Sequence, residues 1–485
     1  MRAERPKVRL PVGAYVGLVA RSPLYGTAAA VRAYAANLRA RNGDRPLHSP
    51  PGPEDRLLVL CPHPDDEVLA LGGLLQRAVA VGARVRIVFL THGDGFPFAA
   101  YSEMRGVGGL WRACRLLGTV RQQETRAALT ELGLPHETAI FLGYPDGGLH
   151  ELWLTHWSPD QPYRSRYTQA DRVPYENARQ PGTPYCARAV LDDLSEALRR
   201  ERPTRIYAPH PQDDHGDHWA TFCLLTAALR ARPNGAWDDE LRGVYSYLTH
   251  HGDWPVPQGR WEKFPLGPPA HLAHGDWATL PLTAEERIAK RRATARHRSQ
   301  MRCIGRFLHS FLRTNELFEQ LSPLSPADAS LGLAQDGLAM PGVFRSRYPR
   351  GDAPLRAAVP AGDLVGLVVR RDGTRFQAVL RFAAPISPGI AYHLALHPLV
   401  PPGPPLRLTW RGNAWDLPDA RGQARERTLE VHLEDEMLRD SQPLLVTAWT
   451  QLGLIWVDRI CVELAASHAR ASMEPRPRSG PRDEG

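Results

Sequence analysis

The chain has 485 residues, with 60 Lys and Arg against 52 Asp and Glu, a net charge of +8, 43% hydrophobic and 23% charged residues. At about 150 residues per domain this is two or three domains of ordinary globular composition. That composition excludes a disordered, collagen-like or coiled-coil protein, and no apolar run approaches the roughly 18–20 residues a bilayer requires.

Nearly all the positive charge is arginine, the lysines being Lys7, Lys263 and Lys290. The arginines are widely spread, clusters such as 287–298 are short, and no recognition motif accompanies them, so nucleic acid is not expected as a partner. The six cysteines form no CxxC pair, which argues against a thiolate zinc site, and they are too sparse for a disulfide framework. Buried, reduced thiols are the expectation.

At the N-terminus, Arg2, Arg5, Lys7 and Arg9 precede an uncharged stretch, residues 10–20. This leaves two expectations open: a signal or interfacial anchor, or a helical arm packed on the domain. Localisation is accordingly expected to be cytoplasmic or at the membrane and cell envelope. Residues 46–53 are Pro-rich and read as a linker. Residues 57–61 are an apolar run short enough for a buried strand. An acidic loop follows, then a helical pattern through Leu69, Leu71, Leu74, Leu75 and Val79, and a second strand at 85–90. Gly72-Gly73 within that helix is expected to permit close packing. A helix is predicted at 121–132, stopped by Gly133, then a strand at 139–142. Helix 188–200, strand 205–208, helix 217–231 and strand 244–248 complete the alternation. Strands alternating with helices imply βαβ units and a mainly parallel sheet, whose ligands bind beyond the carboxyl ends of the strands.

Thr283 and Glu286 form a capping box that opens a helix over 283–301, and residues 303–319 read as continuing helically. Residues 321–360, rich in Pro, Gly, Ala and Ser, read as an inter-domain linker. From Asp363 the period changes to two. Phe376, Ala378, Leu380 and Phe382 alternate with polar residues, as do Leu429, Val431 and Leu433, and Asp372-Gly373 is a hairpin signal. These short strands suggest a β-sandwich. The expected layout is an arm and linker at 1–52, an α/β domain at 53–320, a linker at 321–360, a β-sandwich at 361–466 and a disordered tail at 467–485. The sandwich is expected to be a separable module that positions the enzyme, with two or more of Trp410, Trp415, Trp449 and Trp456 in its core.

Two segments directly follow predicted strands and carry chemistry. The first is Pro62-His63-Pro64-Asp65-Asp66-Glu67. Its acids suit a helix N-terminus, where carboxylates complement the dipole, but that preference does not account for a histidine at the strand end. His63 and one Asp are ligands for a first-row metal, and a catalytic site needs a third protein ligand and an open position. The second segment, His210-Pro211-Gln212-Asp213-Asp214-His215-Gly216-Asp217-His218, offers that ligand, with His215 and His218 three apart at a helix start.

Taken together, the His-Pro-Asp-Asp-Glu loop and the Asp-x-His-x-Asp-His pattern from Asp213 to His218 resemble the LmbE-like, or PIG-L, zinc-dependent N-deacetylases. Arg121-Gln122-Gln123-Glu124, the Gly143 to Gly147 loop, the Thr91 to Gly95 turn, and Lys290 with His297-Arg298-Ser299-Gln300 resemble further elements of that family, in order, over about residues 56–320. Pro62 stands where Ala is usual and Gly216 where Pro is usual. The resemblance implies a Rossmann-like fold. It implies His63, Asp66 and His218 as ligands of one Zn2+ per chain, or of another first-row divalent ion. It further implies Asp65 as general base and His215 as oxyanion stabiliser or proton donor, with Asp217 tuning His215. Arg121 and Asp146 are implied as sugar contacts.

The chemistry is coherent on its own terms. An amide is a poor electrophile, zinc lowers the pKa of water to about 7 and polarises the carbonyl, a carboxylate takes the proton, and a histidine meets the developing charge. The expected activity is hydrolysis of an N-acetyl amide on an N-acetylglucosamine-type sugar or conjugate, releasing acetate and a free amine. Two alternatives stand beside it: a carbohydrate- or wall-binding protein with a residual deacetylase fold, and an amidase of a thiol-sugar conjugate. Residues 149–187 carry Trp153, Trp157, Tyr163, Tyr167, Tyr175 and Tyr185, expected either as a sugar-facing rim or as that insertion's own core. The C-terminal domain is a candidate glycan-binding surface.

Overall fold

The computed structural model describes residues 45–464, except 104–108, 233–239, 270–271, 274, 322–355, 357, 373, 413, 439–442 and 454. The N-terminal stretch at 10–20, almost all of the expected 321–360 linker and the expected tail at 467–485 lie outside the described residues. No helix among the described residues is long and apolar enough to cross a membrane.

The first strand, β1 (Arg56–Cys61), is buried along nearly its whole length, as expected of a strand covered on both faces. It leads into α1 (Asp66–Ala80), then β2 (Arg84–Thr91), α2 (Pro97–Glu103), α3 (Leu110–Glu131), β3 (Ala139–Tyr144) and α4 (Leu149–Leu154). After the 155–186 insertion come α5 (Ala187–Glu201), β4 (Arg205–Pro209), α6 (Gly216–Arg230) and β5 (Gly243–Tyr247). Then β6 (Trp277–Pro281), α7 (Ala284–Thr294), α8 (Arg298–His309) and β7 (Asn315–Leu321) complete the α/β part. Its seven-stranded sheet runs β3-β2-β1-β4-β5-β7-β6; the first five strands are parallel, and β7 alone is reversed, pairing antiparallel with both β5 and β6. Strand order reverses between β1 and β4, so their carboxyl ends open a crevice at the centre of the sheet.

Four local readings change. The helix expected at 121–132 begins eleven residues earlier, at Leu110. The expected linker at 46–53 is partly tied to the sheet edge, where the Thr279 amide donates to the Pro46 carbonyl (3.0 Å) and the His48 amide to the Thr279 carbonyl (2.8 Å). Residues 315–319, expected to be helical, fall within β7. Their polar side chains are satisfied inside: Glu316 pairs with the buried Lys290 (2.7 Å) and Glu319 with His210. The thiols are buried only in part, Cys303 being exposed.

The expected capping box is present: the Glu286 amide donates to Thr283 Oγ1 (3.2 Å) and the Thr283 amide to Glu286 Oε2 (2.8 Å). It starts α7, which brings Lys290 against α1. There Gly72 and Gly73 leave room for neighbours: a Cβ at Gly72 would lie 3.1 Å from Lys290 Cγ, and one at Gly73 2.2 Å from Leu282 Cδ2. Glu316 accepts the Gly73 and Leu74 amides as well as Lys290 Nζ. Removing one partner of a buried pair strands the other charge, at about 3–5 kcal/mol, whereas exchanging both for apolar groups is often near neutral. Glu316→Ala should therefore lower stability by about that amount in urea unfolding, and Lys290→Met with Glu316→Leu by much less. Equal losses would show that the pair is not the source.

The C-terminal part comprises β8 (Leu364–Asp372), β9 (Arg375–Phe382), β10 (Ala391–Pro398), β11 (Leu406–Arg411), β12 (Ala414–Trp415), β13 (Ala424–Arg425), β14 (Thr428–Glu434), β15 (Leu444–Leu452) and β16 (Ile455–Leu464). They form two antiparallel sheets, ordered β12-β11-β10-β15-β16 and β13-β14-β9-β8. Tyr392, Leu394, Leu396, Val446 and Ala448 of the first sheet share one core with Leu367, Phe376, Leu380 and Val431 of the second. Trp410 and Trp415 belong to that core, while Trp449 belongs to another.

The opposite face of the five-stranded sheet is not free. Ala395, Leu399, Leu445 and Trp449 join Trp153, Trp219, Cys223 and Leu224 in the core of the α/β part. His397 stacks on Trp153 with centroids 4.1 Å apart, and Arg230 Nε donates to Glu463 Oε1 at 2.5 Å. A module held only by a tether would not share a core in this way. A chain stopped near residue 325 would expose those aromatic and aliphatic side chains to water. It should be insoluble or lose cooperative unfolding, and a soluble chain with one sharp thermal transition would show the shared core to be dispensable.

Candidate metal and catalytic site

The crevice between β1 and β4 receives both histidine-bearing loops. The β1 loop turns sharply at Asp65, whose φ of 120° lies in a region that side chains rarely adopt and that costs about 1–3 kcal/mol. The turn is held from several directions. The Asp65 amide donates to Glu67 Oε2 (2.9 Å), and the Asp65 carbonyl accepts the Leu69 amide (2.9 Å). Arg121 Nη2 donates to Asp65 Oδ2 (3.1 Å) and to the Pro64 carbonyl. Strain at a buried carboxylate held this tightly is a mark of a functional position. Burial pushes the Asp65 carboxyl up to about 6, against the opposing pull of Arg121 and with Asp66 adding to the rise. A carboxyl so placed is well matched to accepting a proton near neutral pH.

His63, Asp66 and His218 converge. His63 Nδ1 lies 3.2 Å from His218 Nε2, His218 Nε2 lies 3.4 Å from Asp66 Oδ1, and His63 Nδ1 lies 3.9 Å from Asp66 Oδ2. Ligands tetrahedrally placed about 2.0–2.1 Å from zinc are ~3.3 Å apart, close to the two shorter separations. Asp66 Oδ2 accepts the His63 amide (2.9 Å), while Oδ1 is buried without a hydrogen-bond partner. That unpartnered oxygen faces the two imidazoles, so the residues present fit a divalent cation. His250 joins the same group of candidate ligands, and His63, Asp146 and His215 form an adjoining one.

Carboxylates orient the ligating imidazoles, as metal-binding histidines commonly require. His63 Nε2 pairs with Asp146 Oδ1 at 2.9 Å, and His218 Nδ1 lies 3.2 Å from Asp213 Oδ2. Burial opposes the charge on Asp213, but His218, His250 and backbone amides outweigh it and hold the carboxyl far below the usual range. Those amides include Thr249 and His250 on Oδ2, with the His215 amide on Oδ1. Asp213 thus ties the β4 loop to the β5 loop.

His215 caps α6 through its side chain: Nδ1 accepts the Asp217 amide at 3.2 Å. An accepting Nδ1 assigns the proton to Nε2, leaving a neutral donor on the ring's other side. Burial first, then the charge of His63, lowers its pKa well below the ordinary histidine value. In this state His215 is suited to donate to an oxyanion.

Three further predicted residues are engaged by neighbours within the site. Arg121 is buried and engages Asp65, Pro64 and the Gly93 carbonyl (2.9 Å). Asp146 accepts the Gly95 amide (3.0 Å) and pairs with His63. Asp217, expected to tune His215, lies beside it: its amide donates to His215 Nδ1 and its charge opposes the fall in the His215 pKa. Its carboxylate also accepts the Gly147 and Leu149 amides (2.7 and 2.9 Å) and lies 3.6 Å from His63 Nε2.

Asp213 stood in the second motif without an assigned role, and His250 escaped the sequence reading of the site. His250 lies three residues beyond β5, the same strand-end placement as His63 and His210, which was the available signal. The insertion's aromatics pack on the cores, with Trp157 and Tyr163 against the same cluster as Trp153 and Tyr167 against that of Ala99 and Leu117. Trp153, Tyr175 and Tyr185 are core. Tyr167 is half-buried against the Asp146 loop, where a Cβ on Gly147 (φ 78°) would lie 2.7 Å from its ring.

Several known proteins are similar to this chain. A 1D-myo-inositol 2-acetamido-2-deoxy-alpha-D-glucopyranoside deacetylase of Mycobacterium sp. strain KMS is 33% identical over 209 residues, which are 41% of this chain and 58% of that protein. One of the same name from Corynebacterium urealyticum is 26% identical over 269 residues, 52% of this chain and 73% of that protein. The chain thus spans little more than half the length of the mycobacterial relative. The solved N,N'-diacetylchitobiose deacetylase of Pyrococcus horikoshii is 18% identical with a TM-score of 0.34, covering 55% of this chain and 84% of that one. Residues 58–229, which include both histidine-bearing loops, match and belong to the PIG-L family, described as GlcNAc-PI de-N-acetylase.

Proposed function

We propose that the chain hydrolyses the N-acetyl amide of an N-acetylglucosamine-type sugar conjugate, using zinc or another first-row divalent ion on a Rossmann-like framework. The observation that carries this is the convergence of His63 Nδ1, His218 Nε2 and an unpartnered Asp66 Oδ1, directly beside the strained Asp65. The names of the similar proteins support the substrate class.

His63, Asp66 and His218 would hold the ion, with His250 at hand as a fourth imidazole. When bound, such an ion supplies a Lewis acid for the carbonyl and lowers the pKa of water. Asp65 takes the proton of the attacking water, its carboxylate held by Arg121. His215 Nε2 donates to the developing oxyanion from the opposite loop. Tyr167 forms part of the sugar-facing rim, and aromatic faces suit sugar rings. The antiparallel C-terminal sheets are read as a β-sandwich that shields and braces the site.

The decisive experiment incubates zinc-loaded protein with free N-acetylglucosamine, an N-acetylglucosaminyl inositol, N,N'-diacetylchitobiose and an acylated thiol-sugar conjugate, and measures acetate and free amine. Stoichiometric acetate and amine from one of the N-acetylglucosaminides is expected. Release only from the thiol conjugate would favour that amidase reading, and binding without turnover would favour a carbohydrate-binding role. On the active substrate, Asp65→Asn should retain the metal and lose about 10² to 10⁴ in kcat. His218→Ala should lose the metal itself, read by elemental analysis. An Asp65→Asn protein emptied of metal would make Asp65 a ligand and not the base.

A further inference from the structure

The family match ends at residue 229, yet side chains from the C-terminal sheets reach the loop that carries His215 and His218. Arg459 on β16 donates from Nη2 to the Asp213 carbonyl at 2.8 Å. The same guanidinium lies over the ring of Trp219, the residue after His218, at 5.5 Å. Arg356 donates from Nη1 to Asp458 Oδ1 (2.9 Å) and from Nη2 to Asp214 Oδ1 (3.3 Å). Asp458 is fixed by the Leu364 amide on its other oxygen (2.8 Å). Asp214 in turn accepts the Gly252 amide, and its own amide donates to the His250 carbonyl, both at 2.6 Å. Arg356, Asp458 and Asp213 are all buried.

We propose that Arg459, on β16, and Arg356, which bridges Asp458 of β16 to Asp214, are positioning residues of the metal site, acting through the Asp213-Asp214 loop. The inference rests on the metal-site reading above and adds a part of the chain that the family match does not include. Asp213 is the hub. Its carboxylate addresses His218 Nδ1 and the His215, Thr249 and His250 amides, while its carbonyl is held by Arg459. Loosening the carbonyl frees the peptide to rotate, and the carboxylate that orients His218 moves with it. Residues behind a metal ligand typically change affinity by about 10–100-fold.

The test measures zinc affinity of the full chain by competition with a chromogenic chelator, starting from metal-free protein. The variants are Arg459→Ala, Arg356→Ala and, as a control, Arg230→Ala. Arg230 joins the same two parts of the fold through Glu463, and among the described residues it makes no hydrogen bond or ion pair to the loop. About tenfold weaker zinc binding is expected for each of the first two and less than twofold for the control. If the control weakens zinc as much, the effect is general loosening of the interface and the proposal fails; unchanged affinity in Arg459→Ala and Arg356→Ala also overturns it. Should Arg459→Ala not fold, Arg459→Lys is read instead. It keeps a charge near Trp219 without the guanidinium's geometry, and unchanged affinity there overturns the role of Arg459. A wild-type chain that binds zinc but cleaves no N-acetyl sugar would sink the substrate reading, and the variant series would still decide this one. A wild-type chain that takes up no zinc overturns both.

Discussion

The fold crowds Asp65, Asp66, Asp146, Asp213 and Asp217 with His63, His215 and His218 into one crevice largely closed to water. Burying carboxylates without compensation is prohibitive, so every one of them must be answered by a donor or a cation. The structure answers most with backbone: amides of Gly95, Gly147, Leu149, Thr249 and His250 and of His63 itself point at these oxygens. What remains is Asp66 Oδ1, with two imidazole nitrogens facing it. A divalent ion has the charge and size to resolve that remainder. The loops, the strained turn at Asp65 and the placement of α6 hold together the residues that would bind it.

The same constraint explains the weight of the C-terminal sheets. A ligand loop tied down only by its own contacts would fluctuate, since loops have few buried apolar side chains. Here the loop after β4 is fastened to β5 through Asp213 and to the C-terminal sheets through Arg459 and Arg356. The interface behind those ties is apolar and continuous, running from Trp153 and Trp219 to Trp449 and Leu445. Sheet and crevice are parts of one packed body.

How legible each part was in the sequence follows from which faces it buries. The strands β9 and β14 have one face towards solvent, and their residues alternate visibly. Strands β10 and β15 lie between the partner sheet and the α/β part, are buried on both faces, and show no alternation to read. The parallel strands were readable because each is a short apolar run between helices. β7 was misread because Glu316 and Glu319, polar in sequence, are satisfied inside by Lys290 and His210, pairings that only the folded chain reveals. Likewise His63 and His218 stood out by their motifs, whereas the role of Asp213, itself in the motif, and the place of His250 follow from the adjacency of β4 and β5.

Arg121, Asp146 and Asp217 carry this further. Each was singled out as a residue that would touch substrate or tune a catalytic histidine, and in the folded chain each also holds another part of the site. Their partners are Asp65, His63 and the Gly147–Leu149 backbone respectively. A motif records that a side chain is needed at a position; it does not say whether that side chain meets the substrate or holds the one that does. The distinction is made by burial and by the count of oxygens already engaged. A carboxylate with both oxygens on backbone amides has little capacity left for a sugar hydroxyl, while a base must keep a lone pair for the incoming proton. On that criterion Asp65, set in a strained turn and answered at Oδ2 by a single guanidinium, keeps the capacity that the proposed general base requires, and its neighbours hold it in that setting.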